Sequence, residues 1–309
     1  MMRSMTLSEL EMPLRAHLVG ADTGFSDVST DSRHITAGAL FVALSGERFE
    51  PHDFIADVAC AGAVAGIVSR DVDTALPLLR VADTEQALGR LGAYNRAQFT
   101  GPLVGVTGSS GKTTAKNLIA GVLSQRGNTL ATEGNLNNEI GVPLTLLRLA
   151  PDTEFAVVEM GAGKPGDIAW LREIGKPTIS VLLNAMPAHL ERMGSVDAIV
   201  DTKGAIYDEL GPQGTAIINR DQPWADIWQA RAGDANIIDY AVNTRAAVTA
   251  TDVRLLGAEG LAFEAHTPAG SFPVTLKLPG EHNVSNALAA TAVGLACGLD
   301  LEEIGRGLA

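Results

Sequence analysis

A glycine-rich segment that follows an apolar run places the strongest constraint on how this chain can fold. Residues 102–108 (PLVGVTG) have the pattern of a buried β-strand, and residues 112–126 have apolar positions at helical spacing. The segment GVTGSSGKTT (105–114) lies at their junction. A strand, a glycine loop and a helix in this order present consecutive backbone N–H groups beside the positive end of the helix, which suits a phosphate. The segment therefore predicts a phosphate-binding loop that holds ATP with magnesium.

Two side chains of this loop have distinct expected roles. Lys112 is expected to reach the β- and γ-phosphates, and the hydroxyl of Thr113 to coordinate magnesium. The usual first glycine of the pattern falls at Val106, so the consensus is incomplete, and the alternative is a plain Gly/Ser turn before a helix. The rest of the predicted cofactor-binding set in the loop is Gly108, Ser109, Ser110, Gly111 and Thr114.

Further apolar runs predict the fold of the remaining chain. Runs at 154–161, 178–184, 215–219 and 235–241 mostly alternate with helical patterns, which is typical of a largely parallel sheet with helices on both faces. Such sheets bind ligands at the carboxyl ends of their strands, where the glycine loop, Glu159 and Asn184 all fall. Residues 247–278 resemble an antiparallel insertion or sheet edge, and a last helix is predicted over 283–298.

The first hundred residues form a second α/β pattern. Strands are predicted at 39–44, 62–69 and 76–81, and helices at 53–61 and 84–99. Thr100-Gly101-Pro102 ends the last of these helices. A chain of 309 residues is long for a single core. We therefore expect an α/β protein with a small N-terminal domain, 1–100, followed by a P-loop domain, 101–309, whose mostly parallel sheet is flanked by helices.

Charge and hydropathy exclude some classes of function. The formal net charge is −13, which disfavours general nucleic-acid binding because phosphate neutralisation needs a basic surface. The N-terminus has no apolar run of signal-peptide length, and no stretch approaches a membrane span. The expectation is a cytoplasmic protein without membrane insertion.

Other polar residues are candidates for the same site. Glu159 ends an otherwise buried strand, where a carboxylate is costly unless a metal or a cation pairs with it. His189 follows the next strand and is a second candidate, although a lone histidine is more often structural or exposed. Residues 134–143 (GNLNNEIGVP) contain three asparagines, suited either to an amide-rich or sugar-like ligand or to a plain turn.

Taken together, these segments resemble the Mur ligase family of ATP-dependent amino-acid ligases in peptidoglycan synthesis. The resemblance extends over the chain, and the P-loop variant identifies the superfamily. NLNNEIGVP and FVALSGERF point to the member that joins D-alanyl-D-alanine to UDP-N-acetylmuramoyl-tripeptide. The matching segments are TDSR (30–33), GALFVALSGERFEPHDF (38–54), GVTGSSGKTT (105–114), EGNLNNEIGVPLTLLRL (133–149), VVEMGA (157–162), AHLERMGS (188–195), TKGAIY (202–207) and LPGEHNVSNALAA (278–290).

The resemblance implies roles for individual residues. Lys112 and Thr113 would bind the ATP phosphates and magnesium, and Glu159 and His189 would be magnesium ligands. Lys203 falls where these ligases have a lysine carbamylated by carbon dioxide, whose new carboxylate helps to place a second magnesium. By the same likeness, Lys112, Lys203 and His189 are the catalytic candidates. Asn283 and Asn286 match the pair that contacts adenine.

The resemblance also implies the substrate contacts. Asn135, Asn137 and Asn138 match the segment that faces the UDP-muramoyl-peptide. Ser32 and Arg33 of TDSR belong to the part that resembles the uridine-nucleotide holder. The implied partners are UDP-N-acetylmuramoyl-tripeptide and D-alanyl-D-alanine, with ATP and magnesium as cofactors and a monomer as the working form.

Three departures from the family pattern matter. Gly163 and Lys164 stand where the family usually has an Asn-His pair, and Ala205 stands where an acidic residue is common. The third family domain, which closes over ATP and holds the dipeptide, is expected beyond Ala309. As this chain alone, we therefore expect an ATP- and UDP-sugar-binding fragment that does not turn over. A sibling Mur ligase or a folylpolyglutamate-type synthase is the other alternative.

Overall fold

A computed structural model describes residues 2–44, 50–187 and 193–309. The chain forms two compact units: Met1–Thr100 with Glu139–Pro151, and Gly101–Asn138 with Asp152–Ala309. The sequence placed one boundary between residues 100 and 101. The chain crosses between units there and again after Asn138 and Pro151, so residues 139–151, assigned from sequence to the second domain, belong to the first unit.

The first unit is a small α/β structure. Its elements are β1 Met5–Thr6, α1 Leu7–Leu14, β2 His17–Val19, β3 Gly24–Phe25, β4 Asp27–Ser29, β5 Ala39–Val42, a 3-10 turn Pro51–Phe54, α2 Ile55–Cys60, β6 Ala65–Val68, β7 Leu78–Arg80 and α3 Thr84–Arg96, with α5 Gly141–Leu147 returning to the unit. The five-stranded sheet has the order β2-β7-β6-β5-β4, parallel except for the antiparallel β2–β7 pair. A separate antiparallel pair joins β1 to β3.

Helix α5 belongs to this unit because it packs tightly against α3. A Cβ added at Gly92 of α3 would lie 2.9 Å from the backbone of Pro143. The buried amide of Asn95 donates to the carbonyls of Leu146 and Leu149 at 2.9 and 3.1 Å, which satisfies the carboxyl end of the short helix. A glycine and an asparagine of α3 thus select this partner.

The second unit contains the predicted P-loop domain. Its elements are β8 Leu103–Thr107, α4 Lys112–Leu123, β9 Thr129–Ala131, β10 Phe155–Glu159, α6 Asp167–Gly175, β11 Ile179–Leu182, α7 Val196–Gly204, a 3-10 turn Ala205–Tyr207, β12 Thr215–Asn219, α8 Ala225–Arg231, β13 Asn236–Ala241, β14 Val248–Leu255, a 3-10 turn Gly257–Glu259, β15 Leu261–Thr267, β16 Gly270–Leu276, α9 His282–Ala296 and α10 Leu301–Leu308.

One nine-stranded sheet runs through the second unit in the order β16-β15-β14-β13-β12-β11-β8-β10-β9. It is parallel from β9 to β14 and antiparallel through β15 and β16, which confirms both the mostly parallel sheet and the antiparallel edge. Helices α4, α9 and α10 cover one face through a large apolar core. On the other face, Pro177 and Ile206 lie against Gly105.

Strand β8 lies between β10 and β11 in this sheet. The carboxyl ends of all three parallel strands therefore meet at one edge. No helix among the described residues is long and apolar enough to cross a membrane.

Candidate active site

The glycine loop joins β8 to α4 at the carboxyl edge of the large sheet. Gly111, the residue before the helix, has φ 77°, a left-handed conformation that favours glycine. A Cβ there would also lie 3.0 Å from Oδ1 of Asn286. No described side chain caps α4, so its first N–H groups are available to an anion, which the helix dipole also favours.

Asn184 holds the first half of this loop in place. Its side-chain oxygen accepts from the backbone N–H groups of Ser109 and Ser110 at 3.1 and 3.0 Å. Its amide nitrogen donates to the carbonyl of Ser110 at 3.2 Å. Sequence reasoning placed Asn184 at the sheet edge but gave it no role, since a single asparagine after a strand has the same signature as an ordinary turn.

Two lysines approach the same backbone oxygen. Nζ of Lys112 donates to the carbonyl of Gly108 at 3.0 Å, and Nζ of Lys203, from the last turn of α7, donates to it at 3.2 Å. Burial lowers the pKa of Lys112, an effect that the Glu159 carboxylate partly offsets. Burial and then the positive charge of Lys112 lower the pKa of Lys203 from 10.5 to about 8.

Glu159 provides a buried carboxylate beside the loop. It is 1% exposed and ends β10. Its Oε2 accepts from the hydroxyl of Thr113 at 2.9 Å, and its Oε1 accepts from the side-chain amide of Asn137 at 2.7 Å. The sequence predicted that Glu159 and the glycine loop lie at one edge of the sheet, and in the structure Thr113 and Glu159 are directly hydrogen-bonded.

The three asparagines predicted to face a substrate differ in their surroundings. Asn137 contacts Glu159, and its side-chain nitrogen also donates to Oδ1 of Asn135 at 2.8 Å. Asn135 and Asn138 are exposed. Asn137 therefore belongs to the carboxylate side of the site, a placement that sequence spacing alone did not indicate.

A cavity of about 700 Å³ opens next to the glycine loop. Ser110, Gly111 and Thr114 line it, together with Asn286 of α9. The amide of Asn286 donates to Oδ1 of Asn283 at 2.9 Å, and both side chains are buried. Asn286, one of the pair predicted to contact adenine, thus lines the same cavity as the glycine loop, and Asn283 is bonded to it.

Three predicted residues remain: two belong to the first unit, and one is outside the described residues. Ser32 and Arg33 are in the first unit, where Arg33 is exposed and pairs with Asp31 at 2.7 Å. That pairing lowers the pKa of Asp31. His189 lies outside the described residues.

This arrangement coincides with matches to known proteins. A model described as the Mur ligase middle domain matches residues 106–294, and one described as the Mur ligase family, catalytic domain, matches residues 25–96. The chain belongs to the Mur ligase family. The members of this family are ATP-dependent ligases that form amide bonds.

Individual relatives agree with this assignment. The UDP-N-acetylmuramoyl-tripeptide–D-alanyl-D-alanine ligase of Escherichia coli K12 is 45% identical over 100% of this chain and 68% of its own length. MurF from Acinetobacter baumannii is similar with a TM-score of 0.94 and 39% identity, over 99% of this chain and 68% of that one. Thermotoga maritima MurF ligase in complex with ADP has a TM-score of 0.80 and 29% identity, over 90% and 65%. The chain thus spans about two thirds of each relative.

The structure shows the surroundings of the residues that depart from the Mur ligase pattern. The backbone N–H groups of Gly163 and Lys164 donate to Oδ2 of Asp167 at 2.8 and 2.9 Å, so this segment forms a turn at the start of α6. Ala205 is buried in the 3-10 turn directly after α7.

Proposed function

We propose that this Mur ligase joins D-alanyl-D-alanine to UDP-N-acetylmuramoyl-tripeptide with conversion of ATP to ADP and phosphate, as a step of peptidoglycan synthesis that serves cell shape and division. The observation that supports this most strongly is the 45% identity over the whole chain to an enzyme named for that reaction. This identity favours the D-alanyl-D-alanine ligase over the sibling ligases and the folylpolyglutamate-type synthase.

ATP would bind with its phosphates at the glycine loop and its adenine in the adjoining cavity. The uncapped start of α4 and Nζ of Lys112 are the expected phosphate contacts. Asn286 lines the cavity, and Asn283 is bonded to it, which supports a contact between this pair and adenine. The similar Thermotoga ligase crystallised with ADP supports this use of the site.

The chemistry of the side chains fits a magnesium ion. Glu159 is buried, and none of the described residues forms an ion pair with it. The described residues contain no group of three or more acidic, histidine or cysteine side chains that could hold a metal. One carboxylate and the Thr113 hydroxyl, completed by phosphate oxygens and water, is the kind of ligand set that magnesium accepts. When bound, magnesium would offset charge on the phosphate oxygens.

In the first chemical step, the terminal carboxylate of the tripeptide attacks the γ-phosphorus of ATP. A phosphorus–oxygen bond forms to the carboxylate, the bond to the β-phosphate oxygen breaks, and ADP leaves behind an acyl phosphate. Lys112 and the amides at the start of α4 stabilise the negative charge that shifts onto the β-phosphate of the leaving ADP. Carbamylated Lys203 would provide a further carboxylate for a second magnesium.

In the second step, the amine of D-alanyl-D-alanine attacks the acyl carbon, and inorganic phosphate leaves as the amide forms.

Asn135, Asn137 and Asn138 would contact the muramoyl-peptide, and Ser32 and Arg33 would contact the uridine nucleotide. We assign His189 to magnesium by family resemblance alone. A monomer is the proposed working form, and the use of ATP and a UDP-linked substrate supports a cytoplasmic location.

The decisive experiment measures product formation at the full encoded length of the protein. We expect phosphate release that requires ATP, UDP-N-acetylmuramoyl-tripeptide and D-alanyl-D-alanine together, with the amide product identified by its mass. Lys112→Met should abolish it, whereas Lys277→Met, a change of an exposed lysine in the same unit, should not. Phosphate release that responds to a single amino acid, and not to the dipeptide, would assign the protein to a sibling reaction instead.

A further inference from the structure

The loop between β13 and β14 forms part of the nucleotide cavity. Val242 and Asn243 line the cavity together with Ser110 and Gly111 of the glycine loop. A nucleotide whose phosphates lie at the glycine loop would therefore turn its nucleoside part toward the other lining residues. The position of the 242–244 loop therefore determines the shape of the cavity wall that would contact the nucleoside.

The carboxylate of Asp221 fixes this loop. Its Oδ2 accepts from the backbone N–H of Val242 at 2.6 Å, and its Oδ1 accepts from the N–H of Asn243 at 3.1 Å and from the hydroxyl of Thr244 at 3.1 Å. The N–H of Asn243 also lies 3.3 Å from Oδ2. Hydrogen bonds to an ionised acceptor are stronger than neutral ones, so one side chain holds three consecutive residues.

Asp221 is itself anchored to the central sheet. Its backbone N–H donates to Oδ1 of the buried Asn219 at 3.0 Å. The amide nitrogen of Asn219 donates to the carbonyl of Leu183 at 2.8 Å. Leu183 directly precedes Asn184, the residue that holds the glycine loop. The loop at the nucleoside part and the loop at the phosphates are thus fixed to the same segment after β11.

We propose that Asp221 is a positioning residue for the nucleoside part of ATP. Asp221 itself lines the cavity, and its two oxygens accept from three groups of the 242–244 loop, so we assign its role to the placement of that loop. The inference rests on the proposed use of ATP. Asp221 should therefore affect the part of the ATP affinity that comes from the base and ribose, and not the part that comes from the phosphates.

The test compares two ligands that share only the phosphate part. Binding of magnesium-ATP and of magnesium-tripolyphosphate to the 309-residue chain is measured by calorimetry for the unsubstituted chain, Asp221→Ala and Asp221→Asn. Asp226→Asn is the matched control, because Asp226 is a nearby exposed carboxylate that pairs with Arg220. Hydrogen exchange at Val242 and Asn243 reports directly on the loop.

We expect Asp221→Ala to weaken ATP binding about tenfold or more, the effect of losing one charge-assisted hydrogen bond or several, while tripolyphosphate binding changes less than about twofold. Asp221→Asn keeps the shape of the side chain and should give a smaller loss with faster exchange at Val242 and Asn243. It decides the question if the alanine variant does not fold. Asp226→Asn should behave as the unsubstituted chain.

Two results would overturn the inference: equal weakening of both ligands, which would indicate a general effect on the site, or unchanged ATP binding in both Asp221 variants. Failure of the unsubstituted chain to bind ATP at all is a separate result. It would contradict the proposed binding of ATP in this cavity, and with it the role of Asp221, whereas the ligase reaction is tested separately at the full encoded length.

Discussion

Lys203 should react with carbon dioxide far more readily than an ordinary lysine. Only the neutral amine forms a carbamate: the Nζ lone pair attacks the carbon, a nitrogen–carbon bond forms, and a proton leaves to solvent. Burial and the charge of Lys112 lower the pKa of Lys203 to about 8. At pH 8 about half of the Lys203 side chains are then neutral, against roughly 0.3% for a lysine with the ordinary value near 10.5.

The direction of the pH dependence follows from this lowered pKa. The neutral fraction rises with pH through about 8, so carbamylation at a fixed concentration of dissolved carbon dioxide should rise over the same range. Toward about pH 6 nearly all of the amine is protonated and the carbamate should disappear. An ordinary lysine would show the same rise only above about pH 9.

The assay is carbon-13 NMR of the chain in buffer with labelled bicarbonate, from about pH 6 to about pH 9. The α-amino group also has a pKa of about 8 and forms a carbamate of its own, so we expect a second resonance, assigned to Lys203, in the unsubstituted chain and in Lys277→Gln, whose changed lysine is exposed. Lys203→Gln should lose this second resonance, and Lys112→Met should reduce it because the pKa of Lys203 then rises. Identical spectra of Lys203→Gln and the unsubstituted chain at every pH would refute the reasoning. In the full-length enzyme, Lys203→Ala should lose activity that short carboxylates partly restore.

Three further predictions concern the rest of the site. Lys112→Ala should lower ATP-dependent phosphate release about a hundredfold or more at an unchanged melting temperature, and persistent turnover would contradict it. Glu159→Gln should raise the magnesium concentration needed for half-maximal activity about tenfold, measured by titration; an unchanged requirement would remove Glu159 from the metal site. Gly111→Ala should cost about 1–2 kcal/mol of stability in chemical denaturation and weaken ATP binding, because alanine is strained there and meets Asn286. Gly233→Ala, also at positive φ but with nothing within 4 Å, should cost stability alone, and equal ATP affinity in both variants would count against this account.

The sequence predicted those parts of the site that depend on the parallel direction of the strands. Lys112 and Thr113 follow β8, and Glu159 ends β10, so all three were expected at the carboxyl edge of the sheet. The structure adds that β8 and β10 are neighbours, which brings Thr113 and Glu159 into direct contact. The mostly parallel sheet and its antiparallel edge were also predictable, because the periodicity of apolar residues and the alternation of strand and helix patterns are local signals.

The parts that sequence could not predict depend on partners distant along the chain. Residues 139–151 have an ordinary helical pattern, and only the fit of Pro143 against Gly92 and the bonds made by Asn95 show which unit they join. Asn184 and Asp221 are single polar residues after strands, the usual signature of a turn. Their partners, the glycine loop and the 242–244 loop, become visible only in three dimensions.

The two lysines give a physical reason to expect both a nucleotide phosphate and a carbamate at this site. Lys112 and Lys203 donate to one carbonyl, that of Gly108, so two cations share an acceptor that carries no formal charge. Such an excess of buried positive charge is costly and is relieved by a nearby anion. The phosphates of ATP would supply one anion. Carbamylation would supply another, since it would convert Lys203 from a cation that repels Lys112 into an anion that attracts it. Burial and then the repulsion by Lys112 lower the pKa of Lys203, and carbamylation would remove that repulsion and leave Lys112 as the cation that faces the phosphates.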